Sequence, residues 1–311
     1  MTIEPFFDAA TGSLSYLVID DATQCCAVID PVLDFDPASG EVATHSADAI
    51  LAIIQARALK LEWVLETHVH ADHLTAAQYL RNTTGAPVAI GEGIREVRAL
   101  FDGVLNTPKN ELAVDVFFDR LLADGDVIAV GDLTLSVLAT PGHTPACVSY
   151  YCEGAVFVGD TLFRPDYGTA RTDFPGGDAG VLFDSIRRLL ELPPSTRCYF
   201  CHDYPSDQSG SYTYVSELAE QTSQNVQLKG RSREAFIAFR GERDRTLATP
   251  RLLYPSIQVN LRAGQFPDPE CNGQVYLKQP LVLPECCGCS RYPVRWSSGF
   301  RWGYLARVGQ Y

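Results

Sequence analysis

The stretch Thr67-His68-Val69-His70-Ala71-Asp72-His73 follows the apolar run Leu61 to Leu65 and sets four potential metal donors within six residues. That run reads as a buried strand, so the donors begin where a strand stops. In an extended or turning segment His68 and His70 project to one side. Asp72 to Arg81 carries Leu74, Ala77 and Leu80 at helical spacing, so Asp72 and His73 are expected to enter a helix and face the same cavity from another angle.

Working outward, the same placement recurs three times. His143 lies in Thr140-Pro141-Gly142-His143-Thr144 after the run Leu133 to Leu138, Asp160 in Gly159-Asp160-Thr161 after Ala155 to Val158, and His202 after Arg197 to Cys201. The chain has only six histidines, and five of them follow expected strands. The sixth, His45, stands before an expected helix and is read as an ordinary surface or core group. Burying several imidazoles and carboxylates without an ion is costly, and this donor set suits zinc, iron, manganese or nickel. Glycine beside a donor lets the backbone turn tightly around an ion.

The rest of the pattern supplies the frame. Ser15 to Ile19 and Cys25 to Ile29 read as a hairpin, a helix follows Ser46, and Pro87 to Ile90 reads as a short strand. Two tight hairpins follow, Val127 to Val130 with Leu133 to Leu138 and Cys147 to Cys152 with Ala155 to Val158. A helix over Asp178 to Glu191 ends at Pro193-Pro194, the region from Tyr212 to Arg245 is mostly helical, and Phe101 to Asp124 is expected to be an accessory loop. Mixed strands with helices outside imply a layered α/β sandwich.

Composition narrows the function. With 311 residues, 46% hydrophobic and 20% charged, the chain has the make-up of a globular protein and lacks a bilayer-length apolar run. Its 25 Lys and Arg against 38 Asp and Glu give a net charge of −13, which repels phosphate backbones and anionic lipid, so neither nucleic acid nor membrane is an expected partner. Met1 to Ala10 has acidic Glu4 and Asp8 and no Lys or Arg, unlike a signal or transit peptide, so a cytoplasmic location is expected. The ten cysteines are then expected to be free thiols, Cys147 and Cys201 among them as buried, inert side chains.

The strings T-H-V-H-A-D-H at 67 to 73, T-P-G-H-T-P at 140 to 145, G-D-T-L-F at 159 to 163 and C-H-D-Y at 201 to 204 resemble the metallo-β-lactamase fold superfamily near its glyoxalase II branch. More narrowly, Asp166 to Asp178, Cys201 to Tyr204 and Pro255-Ser256-Ile257-Gln258-Val259-Asn260 resemble its persulfide dioxygenases, over roughly Glu4 to Pro280. The resemblance implies an αββα sandwich of mixed sheets with helices on the outer faces and one non-haem Fe(II) per chain held by His68, His143 and Asp160. Two imidazoles and one carboxylate leave positions open for a sulfur anion and dioxygen. The implied reaction converts glutathione persulfide, dioxygen and water to sulfite and glutathione. His202 and Asp72 are the candidate catalytic side chains. Together with His70 and His73 they match either outer groups of the dioxygenases or ligands of a second metal. The alternative is therefore a dinuclear hydroxyacylglutathione thioesterase of the glyoxalase II kind, with a non-catalytic sensor as a third reading.

Glutathione carries two carboxylates and must approach an acidic protein, so cations are needed near the site. Arg171 is the leading candidate, with Tyr167 and Arg262 behind it, and a pairing of Arg171 with Asp173 or Asp178 is the competing reading. Residues 1–283 are expected to form a single catalytic domain, with room for a homodimer. Residues 284–311 differ, holding two of the three Trp, three Cys (Cys286, Cys287 and Cys289), four Arg and one acidic residue. They are expected to be an extension without chemistry, because three clustered thiols do not match structural zinc spacing.

Overall fold

The computed structural model describes residues 1–107, 113–204 and 212–281, so the atypical tail and its cysteines lie outside the described residues. Fifteen strands and seven α-helices are described. In chain order they are β1 (Thr2–Asp8), β2 (Ser13–Asp20), β3 (Cys25–Ile29), β4 (Val32–Asp36), β5 (Glu41–Ala43), α1 (His45–Ala56), β6 (Lys60–Leu65), β7 (Leu74–Thr75), α2 (Ala77–Thr84), β8 (Val88–Gly91) and α3 (Ile94–Leu105). The second half supplies β9 (Arg120–Leu122), β10 (Val127–Val130), β11 (Leu133–Ala139), β12 (Val148–Cys152), β13 (Ala155–Phe157), α4 (Ala179–Leu189), β14 (Arg197–Tyr199), β15 (Val215–Glu217), α5 (Leu218–Gln224), α6 (Arg233–Asp244) and α7 (Leu253–Asn260).

One six-stranded sheet has the order β1-β2-β3-β6-β8-β9 and the other β10-β11-β12-β13-β14-β15, with β5-β4-β7 as a small third sheet. Alternation along single strands explains the layering. In β2, Leu14, Tyr16 and Val18 enter the core between the two large sheets while Leu17 and Ile19 face α1 and α2. In β13, Ala155 and Phe157 enter that same central core and Val156 faces α4. Two sheets face to face with helices on both outer faces form the αββα sandwich expected from the sequence.

Strand direction gathers the donors. β3, β6 and β8 are mutually parallel, and β11 and β13, both antiparallel to β12, run with β14. Asp30, His68, His143, Asp160 and His202 therefore all follow the carboxyl ends of strands at one edge of the sandwich. There the halves are stitched across: Leu14 N donates to Cys201 O (2.8 Å), Asp203 N to Gly12 O (3.0 Å) and Val148 N to Thr67 O (2.9 Å).

Two local expectations are corrected. Asp72 to Thr75 is not the start of a helix, because Leu74 and Thr75 pair with Leu33 and Val32 as β7 and the Ala76 amide is taken by Pro31 O, so α2 starts only at Ala77. The accessory loop is largely structured: α3 runs into it, and a 3-10 turn at Val114–Val116 and strand β9 lie within it. The region after Tyr212 begins with an edge strand, β15, before its helices. No helix among the described residues is long and apolar enough to cross a membrane.

Candidate metal centre

His68, His143 and Asp160 come together with donor atoms within 4.8 Å of one another, and hydrogen bonds fix which nitrogen each imidazole offers. The Thr67 hydroxyl donates to Asp30 Oδ2 (2.8 Å), so it can only accept from His68 Nδ1 at 2.9 Å. That leaves the Nε2 lone pair of His68 buried and without a hydrogen-bond partner. His143 Nδ1 donates to the backbone carbonyl of Arg171 at 2.8 Å, which turns its Nε2 lone pair inward. Both lone pairs face Asp160 Oδ2, at 3.8 Å from His68 and 3.3 Å from His143. Burial, reinforced by the charge of His70, keeps His68 well below its ordinary value and so neutral, the form that ligates metal. Two aimed lone pairs, one of them orphaned and buried, and a carboxylate fit a divalent cation.

The glycines permit this convergence. Gly159 has φ +52°, and a Cβ there would lie 2.6 Å from Thr67 Oγ1. Gly142 has φ +133°, with the Leu182 amide at 2.3 Å from such a Cβ. Both positions need a backbone that L side chains rarely adopt and a space that a Cβ would fill.

A second group surrounds Asp72. Its Oδ2 lies 3.3 Å from His202 Nε2 and 3.3 Å from His73 Nδ1, and accepts from Ser13 Oγ at 3.1 Å. His202 Nδ1 donates to Gly12 O (3.2 Å), and its Nε2 is also 3.2 Å from Asp160 Oδ1. Burial works against the charge of His202, but Asp72 and Asp160 raise it to about 9. Burial likewise opposes ionisation of Asp160, yet the charge of His202 holds its carboxyl well below the usual range. Cys201 Sγ lies 2.6 Å from Asp160 Oδ1; burial, with the nearby carboxylates, pushes this thiol well above its ordinary value. Burial raises Cys147 to about 12. Neither thiol is the reactive thiolate of a redox switch.

His70 departs from its neighbours. Its Nε2 lies 3.1 Å from Asp30 Oδ1 and 3.5 Å from Glu66 Oε2, all three residues being buried. Burial disfavours every charge here, but Asp30 carries His70 well above its ordinary value, and Glu66 is pushed up to about 7. Its donor atoms also fall within 4.8 Å of those of Asp72 and His73. The bracing was not read from the sequence: Asp30 at φ +50° accepts from the Thr67 amide at 2.7 Å, and Asn260 Nδ2 donates to the carbonyls of His70 (2.8 Å) and His73 (2.9 Å). A signal existed for Asp30, which follows β3 as Asp160 follows β13.

A cavity of about 360 Å³ opens onto His143, Asp160 and His202, and Phe163, Tyr167 and Phe174 line its wall. Arg171 reaches this wall, but its guanidinium is held by Asp173 (2.6 Å) and by Ala248 O (2.7 Å). The intramolecular pairing is therefore what the structure holds, and it is the Arg171 carbonyl that touches a site histidine. Arg262 lines a different cavity, with Gln258 and Lys278. Two further cations in the wall of the site cavity, the exposed Arg243 and Arg251, were not singled out from the sequence because nothing in their spacing marks them.

Residues 9–202 match the family model of the metallo-beta-lactamase superfamily. The chain is 48% identical over 292 residues to a probable metallo-hydrolase of Burkholderia pseudomallei, covering 90% of this chain and 99% of that one. It is 45% identical over 280 residues to glyoxylase B2 of Dictyostelium discoideum (89% and 95% covered). It spans 64% of the length of a beta-lactamase hydrolase-like protein of Xylella fastidiosa at 48% identity over 280 residues, 90% of this chain. The human mitochondrial persulfide dioxygenase ETHE1 is 28% identical over 265 residues, covering 84% of this chain and 88% of that one. Among solved structures, ETHE1 from Myxococcus xanthus superposes with a TM-score of 0.69 at 33% identity, over 85% of this chain and all of that one. Motif, sandwich and converging donors agree with these likenesses, and the chain belongs to the metallo-beta-lactamase superfamily.

Proposed function

We propose that the protein is an iron-dependent dioxygenase that oxidises a persulfide carried on a small anionic thiol, glutathione persulfide being the leading candidate. The reaction balances as persulfide plus dioxygen plus water giving thiol plus sulfite and two protons. One observation carries this reading. His68 and His143 both present Nε2 to Asp160, while His70, one of the histidines a second metal would draw on, sets its Nε2 3.1 Å from Asp30 Oδ1 and 3.5 Å from Glu66 Oε2. The likeness to the ETHE1 proteins supports it.

His68, His143 and Asp160 would hold ferrous iron, which when bound supplies adjacent open positions and one-electron chemistry toward dioxygen. The chain's own groups do the rest. His202, a cation beside the cavity, is placed to steady an anionic sulfur and to give up a proton from Nε2. Phe163 and Phe174 keep bulk water from the reacting sulfur. Arg243 and Arg251 draw a carboxylate-bearing substrate into an otherwise acidic protein.

A second reading, a dinuclear thioesterase, is favoured by the cluster of Asp72, His73 and His202 and by the hydrolase and glyoxylase names of the relatives at 45–48% identity. Metal content of anaerobically purified protein, oxygen uptake with glutathione persulfide, and hydrolysis of S-lactoylglutathione separate the two. One iron per chain with oxygen consumed and sulfite formed is expected. Two metals with thioester cleavage and no oxygen uptake would overturn the dioxygenase.

A further inference from the structure

The two oxygens of Asp160 have divided surroundings. Oδ2 faces the imidazoles of His143 and His68, at 3.3 and 3.8 Å, while Oδ1 is met by His202 Nε2 at 3.2 Å and Cys201 Sγ at 2.6 Å. A carboxylate oxygen has two acceptor directions, and on Oδ1 both are taken. Cys201 itself cannot drift. It is 3% exposed, its carbonyl accepts from Leu14 N on β2, and it follows β14 with only Phe200 between. A thiol in that place is also a better neighbour for Asp160 than a second anion would be.

We infer that Cys201 is a positioning residue whose thiol donates to Asp160 Oδ1 and, with His202, restricts Asp160 to presenting one oxygen, Oδ2, to the site shared with His68 and His143. This rests on the one-ion reading proposed above. It assigns the cysteine of C-H-D-Y a role distinct from redox chemistry and from ligation. It also explains why a side chain in the strand-end core is sulfur-bearing rather than purely apolar: a methyl group there would leave Oδ1 short of a donor and free the carboxylate to rotate.

The test is cobalt(II) binding to the metal-free full chain, followed by visible absorption, in wild type, Cys201→Ala and Cys201→Ser. Wild type is expected to bind one cobalt per chain with no thiolate-to-cobalt charge-transfer band. Cys201→Ala should weaken binding about 10- to 100-fold, with altered d–d bands, and Cys201→Ser, which keeps a donor at that point, should recover most of the loss. Equal affinity of Cys201→Ala and wild type would overturn the inference. So would a thiolate band present in wild type and absent from Cys201→Ala, which would make Cys201 a ligand. Should Cys201→Ala not fold, Cys201→Ser decides: near-wild-type affinity and bands support the donor role, and a loss of 10-fold or more in a folded protein defeats it. Two cobalt ions per wild-type chain would instead fail the one-ion reading, and the affinity ratios for the first ion would still report on Cys201.

Discussion

At the level of single side chains, Arg243 and Arg251 add two exposed positive charges to the wall of the site cavity, whereas the guanidinium of Arg171 is already held by Asp173 and Ala248. In a protein of net charge −13, two such cations are a local exception that an anionic thiol would exploit. Replacing either by Ala is expected to raise KM for glutathione persulfide by about 3- to 10-fold, the worth of a partly exposed charge-assisted contact. Metal content and kcat should be unchanged, and the effect should shrink as salt is added. An unchanged KM in both variants would place substrate recognition elsewhere. Sequence spacing marked the metal donors but not these arginines, because a donor motif is local whereas a cavity wall is assembled from the end of α6 and the segment after it.

Among the elements, α6 fixes the loop that carries the Arg171 carbonyl. Arg240, 1% exposed, pairs with Asp244 at 2.5 Å and donates to Gln227 Oε1 at 2.6 Å. Asp244 in turn accepts from the amide and hydroxyl of Thr172 at 2.9 and 3.0 Å. Removing one member of a buried pair strands the other charge and costs about 3–5 kcal/mol. Arg240→Met is expected to lower urea stability by that amount and to loosen metal binding through His143. The double variant Arg240→Met/Asp244→Leu should recover part of the stability, and a loss under about 1 kcal/mol for the single variant would contradict the account. Such a network was not legible beforehand: Arg240 and Asp244 sit at i and i+4 on a polar helix, the usual look of a solvated pair. The strands and their order of appearance were legible because apolar alternation is local. The true start of α2 was not, since β4, earlier in the chain, pairs with Leu74 and Thr75 and holds them extended.

For the molecule as a whole, the strand-end edge makes the metal-free state sensitive to pH. His202 is raised from 6.5 to about 9 and Glu66 from 4.5 to about 7. Each folded group binds its proton more tightly than the unfolded chain does, so stability falls as pH rises. The contribution of His202 is complete below about pH 6.5 and gone above about pH 9, and that of Glu66 is lost between about 4.5 and 7. Chelator-treated protein is expected to show a thermal midpoint that declines from pH 7 to pH 9, His202 accounting for about 2 kcal/mol of the loss. In His202→Asn the decline between pH 7 and 9 should be shallower than in the wild type, with His70 supplying what remains. A midpoint that climbs across this range in the wild-type protein would reverse the assignment.

The cross-stitching between the two sheets bears on the order in which the protein matures. His68 belongs to the sheet completed first in the chain, and His143, Asp160 and His202 to the sheet completed later. A chain that has folded only its leading half therefore owns the densest donor string but lacks His143, Asp160 and His202. Chemistry begins only when the trailing half has docked and Cys201 has met β2. The centre formed by His68, His143 and Asp160 therefore exists only where the two sheets are packed together.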